Sequence, residues 1–288
     1  MNASYRWRVV GASVPGAAHK RAGKPNQDSL QWSQQSGTGL PLVLSVSDGH
    51  GSAVCFRSEV GSRLAVDVAI RTLLDTAAHL DDSVGTRASV LNRYAQDQLP
   101  KLLIRNWNES VDRHINAHPC SRGDIRRLLR VAGRPSVEKL LRENQRLAYG
   151  ATLLSAMVID DCILYVQLGD GDIVVVSEDG EPRRAIPKDS RLIGNETASL
   201  CEPNAWRDVR ATVQSIEDQP PALILVSTDG YANSFVNDDG FLQVGSDLLK
   251  IVREHGLDYV DKELNNWLDE ASCAGSGDDV TVGVICRL

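Results

Sequence analysis

The sequence has 288 residues, of which 42% are hydrophobic and 24% are charged, and its formal net charge is −7. This length and apolar content predict one large domain or two small ones with an ample core, whereas the acidic charge disfavours nucleic acid and anionic membranes as partners. No run of eighteen apolar residues and no signal-like start are found, so we expect a cytoplasmic protein without membrane contact.

The cysteines predict reduced thiols rather than a zinc site or a disulfide framework. They lie far apart, none belongs to a Cys-x-x-Cys pair, and several fall within apolar runs. Burial in the core is the more common outcome for such a pattern. The six residues are Cys55, Cys120, Cys162, Cys201, Cys273 and Cys286.

The N-terminal part combines a strand with a basic segment. Tyr5–Ser13 alternates loosely and predicts a first strand, and Pro15–Pro25 is rich in glycine, alanine and basic residues. This second segment is either a plain surface loop or a cationic lip for an anionic group. It is not a phosphate-binding P-loop, because six residues instead of four separate Gly16 from Gly23, and a proline follows the lysine.

The stretch Leu42–Gly51 holds the first candidate site residues. It follows a short strand around Leu30–Ser33 and a hairpin tip at Ser36–Gly39, and its apolar run ends abruptly in Asp-Gly-His-Gly. A short apolar run bounded by turn residues predicts a buried strand. Asp48 then lies where a core strand reaches the surface, and Gly49 lets the backbone approach closely whatever Asp48 holds.

Related patterns recur further along the chain. An apolar run followed by Asp-Gly appears at Leu164–Gly171 and at Leu223–Gly230, and Asp278 precedes a terminal strand over Val280–Cys286. Each Asp-Gly could be an ordinary turn, because this dipeptide is common there. Four acidic positions at strand ends instead predict one convergent carboxylate site, and carboxylates are the ligands that hard divalent cations prefer.

The region between these strands predicts helices. A first helix has Ser52 as its N-cap and runs to about Ala78, and Asp81–Gly85 ends it. A second helical stretch, Ser89–Asn116, contains Pro100, which should kink or split it.

A polar and basic segment, Ala117–Pro135, comes next. Its arginines form either a solvated helix face or a docking surface for a protein partner. Val137–Ala148 predicts another helix, so residues 86–147 are predicted to be a helical insert.

The C-terminal half predicts further strands and helices. Residues 182–218 carry isolated charges and are predicted to form an irregular excursion at the rim. The strands fall into two groups, each followed by helices, which predicts two layers of mainly antiparallel sheet with helices outside rather than a doubly wound fold. The remaining predicted strands are Thr152–Ile159, Cys162–Leu168, Ile173–Val176 and Leu223–Ser227, and the predicted helices are Tyr231–Phe235, Asp247–Glu254 and Asp258–Glu270.

Six short motifs, in the correct order, resemble those of the type 2C family of metal-dependent protein serine/threonine phosphatases. The resemblance spans nearly the whole chain, from residue 26 to residue 282. It implies a single domain over residues 1–288 with an α+β fold, a four-layer αββα sandwich. The motifs are Asn26-Gln27-Asp28, Val46–Gly51, Tyr149–Thr152, Leu168–Asp172, Ser227–Gly230 and Gly277–Val282.

The resemblance also implies an activity and a metal site. Asp48 would bridge two Mg²⁺ or Mn²⁺ ions, with the Gly49 carbonyl as a further ligand. Asp229 and Asp278 would complete one of these metals, and Asp170 would belong to a third, weaker site. A water molecule bound by both ions would attack the phosphate of a phosphoserine or phosphothreonine directly. The implied partners are a phosphorylated protein substrate and a separate serine/threonine kinase, in signalling by dephosphorylation.

His50, Asp28 and Arg21 are the predicted catalytic residues. In the resemblance, His50 would be the general acid for the leaving alkoxide, and Asp28 belongs to the first acidic motif. The phosphate-binding arginine of the family has no counterpart, because Gly23 stands at its position. Arg21 is favoured as its replacement, since a guanidinium binds phosphate bidentately. The other candidates are His19, Lys20 and Lys24.

Two further positions depart from the family pattern. Gln27 stands where a glutamate is frequent, which would act on the second metal through water. A neutral amide supplies no charge, so we expect lower metal affinity. Asn233 stands where many relatives carry an aspartate for the third metal, which leaves open whether a third ion binds.

Two other functions are weighed against the phosphatase. A non-catalytic, phosphoprotein-binding regulatory module on the same fold would agree with Gln27 and Asn233. A different two-metal hydrolase, such as a phosphodiesterase, is disfavoured because the His-rich metal clusters typical of many such sites are missing.

Overall fold

The computed structural model describes residues 5–36, 39–80, 87–189, 197–216 and 219–288. Within these ranges the chain forms ten strands and nine helices. The strands are β1 (Trp7–Val14), β2 (Ser29–Gln34), β3 (Leu42–Ser47), β4 (Leu153–Val158), β5 (Cys162–Leu168), β6 (Asp172–Val176), β7 (Pro182–Arg184), β8 (Arg210–Ser215), β9 (Leu223–Ser227) and β10 (Val280–Arg287). The helices are α1 (Ala17–Ala22), α2 (Ser58–His79), α3 (Arg87–Asp97), α4 (Leu99–Ala117), α5 (Arg122–Val131), α6 (Gly133–Arg142), α7 (Asp229–Ala232), α8 (Asp238–His255) and α9 (Leu257–Ala274).

The strands form two five-stranded sheets, and the neighbouring strands in each are antiparallel. The first sheet has the order β1-β10-β9-β6-β7, and the second has the order β2-β3-β4-β5-β8. Helices pack on the outer faces of both sheets. The predicted α+β sandwich of two mainly antiparallel sheets flanked by helices is therefore confirmed.

Three apolar clusters hold these layers together. One lies between the two sheets and includes Trp7, Leu44 and Ile224. The second joins α2–α6 to the outer face of the second sheet around Trp107, and the third joins α8 and α9 to the first sheet. Because both faces of each sheet are covered, the central strands are buried along their whole length and do not alternate between buried and exposed residues.

The strand register brings several strand ends to one end of the sandwich. In the second sheet, Val46 of β3 pairs with Leu154 of β4, and Leu154 pairs with Gln167 of β5, so β3 and β5 end side by side. In the first sheet, Ser227 at the end of β9 pairs with residues near the starts of β6 and β10. The short connection from β5 to β6 crosses between the sheets at this end. The loops that carry the candidate acidic residues therefore converge.

The excursion predicted for residues 182–218 is only partly irregular. It contains β7, an edge strand of the first sheet, and β8, an edge strand of the second. The prediction of an irregular segment was wrong for these residues. The reason is that edge strands such as Arg210–Ser215 are half exposed and rich in polar residues, so they lack a buried apolar face to mark them.

The beginning of the first long helix also differs from its prediction. Helix α2 begins at Ser58, so Ser52 is not its N-cap. The backbone amides of His50 and Arg57 instead donate to the carbonyls of Gly150 and Ala148, at 3.0 and 2.8 Å. The segment from His50 to Arg57 is therefore hydrogen-bonded at both ends to residues 148–150, and this pairing prevents it from forming the first turns of the helix.

Several other boundaries shift. A short helix, α1, forms in the basic segment predicted as a loop, and α8 begins at Asp238 rather than Asp247. The split at Pro100 is confirmed, because α3 ends at Asp97 and α4 begins at Leu99. The helix predicted for Val137–Ala148 is wrong in its bounds: α6 ends at Arg142, and a 3₁₀ turn covers Gln145–Tyr149.

Two predictions fall on other parts of the chain. The helix break at Asp81–Gly85 and the middle of the hairpin tip at Ser36–Gly39 lie outside the described residues. None of the helices in the described part of the chain is long and apolar enough to cross a membrane.

All six cysteines are free thiols. The prediction of core thiols is confirmed for Cys55, Cys162, Cys201 and Cys286, which are buried. It is wrong for Cys120, which is half-buried, and for Cys273, which is exposed near the end of α9. Cys120 lies in the connection between α4 and α5, and neither position belongs to a sheet.

The packing of α2 depends on a glycine. A Cβ atom added to Gly61 would lie 1.9 Å from the carbonyl oxygen of Tyr149. We expect Gly61→Ala to lower the free energy of unfolding by about 3 kcal/mol, because the backbone of the helix or of the 3₁₀ turn must move. The matched control is Gly123→Ala on α5, where the nearest atom would be a serine hydroxyl at 3.4 Å.

The control should leave stability unchanged or raise it by about 0.5 kcal/mol, since alanine is the better helix former. Urea unfolding of both variants measures the difference. Equal stability of the two variants would contradict the close approach of α2 to the 3₁₀ turn.

Candidate metal centre

Asp48 is placed by two neighbouring strands. It follows β3 directly, its backbone N–H donates to Thr152 Oγ1 at 2.9 Å, and its carbonyl oxygen accepts from the Thr152 N–H at 2.8 Å. Ser47 fixes the same point, because its hydroxyl donates to the Thr152 carbonyl at 2.6 Å. The next residue, Gly49, forms an antiparallel bridge with Ala151. The acidic residue is therefore held by backbone contacts on both sides.

Three predicted metal ligands come together at this point. Oxygen atoms of Asp48, Asp170 and Asp229 lie within 4.8 Å of one another. Asp170 comes from the connection between β5 and β6, and Asp229 is the first residue of α7, immediately beyond β9. These three residues are far apart in the sequence, and the folding of the two sheets brings them together.

Burial and repulsion raise the pKa values of two members of this cluster, Asp48 and Asp229. Burial raises the pKa of Asp48 well above its usual value, and repulsion from Asp28, Asp229 and Asp170 adds to the effect. Burial, followed by repulsion from Asp170 and Asp278, raises the pKa of Asp229 to about 6. A divalent cation bound among these carboxylates would relieve the repulsion and replace the protons.

Asp28 lies beneath the cluster. It is buried, and its Oδ2 accepts a hydrogen bond from the Thr228 hydroxyl at 2.8 Å. Burial raises its pKa to about 7, repulsion from Asp279 adds to this, and hydrogen bonds from Thr281 and Thr228 lower it. Its position supports Asp48 from below and does not line the cleft.

Gln27 and His50 line the cleft beside the carboxylates. The Gln27 amide nitrogen donates to the Ser58 hydroxyl at 2.5 Å, and its Oε1 is buried without a hydrogen-bond partner among the described residues. The Nε2 atom of His50 is likewise buried without such a partner, and burial lowers the pKa of this ring. The hydrogen-bonding capacity of both atoms is therefore unused among the described residues.

Asp278 and Asp279 have different surroundings. The Asp278 side chain is half exposed and lines the same cleft. Asp279 is buried, and its carboxylate accepts hydrogen bonds from the Gly16 N–H at 2.6 Å and the Gln27 N–H at 2.7 Å. His19 Nδ1 lies 2.9 Å from the same carboxylate. The sequence analysis predicted Asp278 as a metal ligand and His19 only as a candidate phosphate-binding cation, and it did not predict a role for Asp279. The sequence signal for Asp279 was the second aspartate of the Asp-Asp pair in the last motif.

The cleft has a volume of about 1450 Å³, and several basic residues line it. Lys188 pairs with Asp238, and Arg210 donates to the Pro187 carbonyl. Lys24 has no ion-pair partner among the described residues. Arg21 is exposed on α1 and is not part of the cleft lining. The structure thus brings every predicted metal residue into or beside one cleft but leaves Arg21 outside it.

The side chain of Asn233 also contacts this centre. Its amide donates to Asp229 Oδ2 at 3.0 Å, so it offers a hydrogen bond where many relatives would offer another charge. The remaining donor set consists of carboxylates with a buried amide oxygen nearby. Carboxylate and amide oxygens fit hard divalent cations, and the residues present therefore suit Mg²⁺ or Mn²⁺.

Comparison with known proteins agrees with this geometry. A family model described as protein phosphatase 2C matches residues 15–269. No curated protein matches the sequence.

Solved structures with the same fold include bacterial phosphatases. The Mycobacterium tuberculosis serine/threonine phosphatase PstP/Ppp has 18% identity and a TM-score of 0.56, over 97% of this chain and 98% of that chain. The catalytic domain of PstP in complex with 2 manganese ions has 18% identity and a TM-score of 0.57, over 99% of both chains. PppA, a key regulatory component of T6SS in Pseudomonas aeruginosa, has 15% identity and a TM-score of 0.55, over 98% of both chains.

The raised pKa values predict how stability depends on pH. A carboxyl group whose folded pKa exceeds its unfolded pKa stabilises the protein at low pH, and this stabilisation is lost as pH rises through the folded pKa. For Asp229 and Asp28 the folded values are about 6 and about 7. We therefore expect the melting temperature of metal-free protein to fall between about pH 4, near the unfolded pKa, and about pH 7, near the higher folded pKa.

Saturating Mn²⁺ should flatten this dependence, because the cation replaces the protons. Asp48→Asn should also reduce the fall, because it removes one of the repelling charges. Differential scanning fluorimetry across this pH range, with and without Mn²⁺, measures both effects. A melting temperature of metal-free protein that rises through the same range would contradict the raised pKa values.

Proposed function

Because the chain belongs to the protein phosphatase 2C family, we propose that it is a metal-dependent phosphatase that removes phosphate from phosphoserine and phosphothreonine side chains of proteins. The observation that carries this proposal is the carboxylate cluster of Asp48, Asp170 and Asp229 at the wall of an open cleft. A cleft of this size with a charged floor suits a phosphorylated side chain that enters from a protein surface. The phosphorylated residue would come from a substrate protein that a separate serine/threonine kinase has modified.

Asp48, Asp229 and Asp278 would hold two Mg²⁺ or Mn²⁺ ions, and Asp170 would add a ligand for a third. Such ions lower the pKa of water and neutralise the negative charge on a phosphoryl group. The chain itself keeps the ligands in place: Thr152 fixes Asp48, and the α7 backbone fixes Asp229.

Two side chains of the cleft would act on the substrate. Lys24 lines the cleft and has no ion-pair partner in the part of the chain that the structure describes, so its ammonium would bind phosphate oxygens. His50 would carry a proton at Nε2 and give it to the leaving serine or threonine oxygen. Because burial lowers the pKa of His50, this ring loses its proton at a lower pH than a free imidazole does. Its contribution as an acid should fall over the same lower pH range.

Two uncharged side chains at the site favour a second candidate, a regulatory module that binds phosphoproteins without hydrolysing them. Gln27 brings no charge to the metal site, and its amide nitrogen is committed to Ser58. Asn233 likewise places an amide on Asp229. A weaker metal site would retain phosphate binding through Lys24 while losing turnover.

The first test removes the central carboxylate. We expect Asp48→Asn to lower kcat/KM for Mn²⁺-dependent hydrolysis of p-nitrophenyl phosphate and of a phosphothreonine peptide by at least about 100-fold, because metal stabilisation of the transition state is worth several kcal/mol. The matched control is Asp97→Asn, an exposed residue on α3 that pairs with Lys101. The control should keep wild-type activity and metal affinity.

Calorimetric titration of Mn²⁺ on the same samples separates the two candidates. Metal binding with turnover in the wild type supports the phosphatase. Metal binding without turnover on either substrate supports the regulatory module. Full activity of Asp48→Asn would rule out the proposed metal centre.

A second test identifies the phosphate-binding cation. We expect Lys24→Met to raise KM for the phosphothreonine peptide by about 10- to 100-fold, the effect of losing a hydrogen bond to a charged group. Arg21→Met, three residues away and outside the cleft lining, is the matched control and should leave KM unchanged. The opposite pattern, with KM raised only in the Arg21 variant, would assign phosphate binding to Arg21 instead.

A further inference from the structure

A histidine at the rim of the cleft is oriented as metal-binding histidines are. His19 lies on α1, its side chain is 14% exposed, and it lines the same cleft as Asp48. Its Nδ1 atom lies 2.9 Å from Asp279 Oδ1. In the neutral imidazole, a proton on Nδ1 that is donated to this carboxylate leaves the lone pair on Nε2, where a metal can bind. Histidines that bind metals almost always donate their other nitrogen to a carboxylate or a carbonyl in this way.

Asp279 is fixed firmly enough to serve as this orienting group. Its side chain is 3% exposed, and besides His19 it accepts from the Gly16 and Gln27 backbone amides. The family motif has asparagine at this position, as the resemblance of Gly277–Val282 indicates. This chain therefore carries an additional buried carboxylate together with a histidine facing it.

Helix α1 holds His19 against the turn that bears the acidic pair. The Ala18 N–H donates to the Gly277 carbonyl at 2.8 Å, and the Ala17 N–H donates to the Ser272 hydroxyl at 3.0 Å. A Cβ atom on Gly16 would lie 2.3 Å from the carbonyl carbon of Asp278, so the two segments touch through their backbones. His19 is thus built into the site and is not a freely moving surface residue.

The free nitrogen of His19 points toward a predicted metal ligand. Nε2 lies 4.0 Å from Asp278 Oδ1, and oxygen or nitrogen atoms of His19, Asp278 and Asp279 all lie within 4.8 Å of one another. Two ligand bonds of about 2.1 Å each can span that separation, so one ion can contact both His19 and Asp278. Asp278 also repels Asp229, which places this pair at the edge of the carboxylate cluster.

We propose that His19 is a metal ligand: its Nε2 atom and the Asp278 carboxylate bind one divalent cation at the rim of the cleft, and Asp279 orients the imidazole. This inference rests on the proposed metal centre and adds to it a nitrogen ligand. Imidazole binds Mn²⁺, Fe²⁺ and Zn²⁺ more readily than Mg²⁺, which prefers oxygen ligands. The site therefore favours a transition metal over Mg²⁺.

Pulsed electron paramagnetic resonance of the Mn²⁺-loaded full-length chain tests the ligand directly. A coordinated imidazole produces modulation of the electron spin echo by its nitrogen, and replacing histidine ¹⁴N by ¹⁵N changes that modulation. We expect this signal in the wild type, its loss in His19→Gln, and its persistence in His50→Gln, which removes the other imidazole of the cleft. The matched control is His79→Gln, an exposed histidine near the end of α2, and it should keep the signal.

Metal titration gives a second measure. His19→Gln should raise the Kd of that site for Mn²⁺ by about 10- to 100-fold, and Asp279→Asn should raise it about 10-fold by releasing the ring. The Kd for Mg²⁺ should change less than about 3-fold in His19→Gln, since an amide oxygen can replace imidazole for a hard ion.

The possible results separate this inference from the proposed function. Mn²⁺ binding without histidine nitrogen modulation in the wild type would overturn the role of His19 and leave the phosphatase intact. Loss of the modulation in His50→Gln would do the same, even if His19→Gln does not fold. Absence of any Mn²⁺ binding in the wild type would overturn both.

Discussion

Repulsion between carboxylates at one end of the sandwich is the constraint on which the rest of the structure depends. Asp170 lies close enough to Asp48 and Asp229 to raise the pKa of both, and a flexible chain would let the three residues separate. Each one instead follows or precedes a strand whose register is fixed by a buried sheet. The apolar core supplies the free energy that keeps the carboxylates together. Because the carboxylates repel one another, binding of a cation among them is favourable.

The two ends of the chain complete this centre. Residues around Gln27 and His19 contact the turn before β10, so the same small region includes groups from both ends of the described sequence. Asp279 joins them, because one carboxylate receives two backbone amides and an imidazole. Because α1 also contacts the turn at Gly277 and Asp278, a change in the position of α1 would change the position of Asp278.

Whether a strand or helix could be predicted from the sequence depends on which contacts stabilise it. Strands β3 and β9 were predictable, because a fully buried apolar run that ends in Asp-Gly has few alternatives. Strand β8 was not, because an edge strand with half-exposed polar residues carries no such pattern. Helix α2 starts later than its apparent cap because the preceding segment hydrogen-bonds to another part of the backbone, which no local pattern records.

The same distinction applies to the site. The acidic residues could be named from strand ends and from the resemblance, and they do converge. Among the basic residues the prediction favoured Arg21, whereas Lys24 lines the cleft. The two are three positions apart, and only the course of the chain through α1 and just beyond it decides which of them faces the cleft. The partnership of His19 with Asp279 joins residues far apart in sequence, and only the assembled fold reveals it.

The position of β10 has a consequence for how the protein is made. This strand lies between β1 and β9, with Trp7 paired to Arg287 at one edge of the pairing and Val14 paired to Val280 at the other. During synthesis, β1 leaves the ribosome long before its partner exists, and such long-range pairing is slow to form. Asp278 and Asp279 immediately precede β10, so a nascent chain lacking them has no acidic pair beside His19 at the rim of the cleft. Completion of the metal centre therefore waits until residues 278–287 have been synthesised, long after the residues around Asp48.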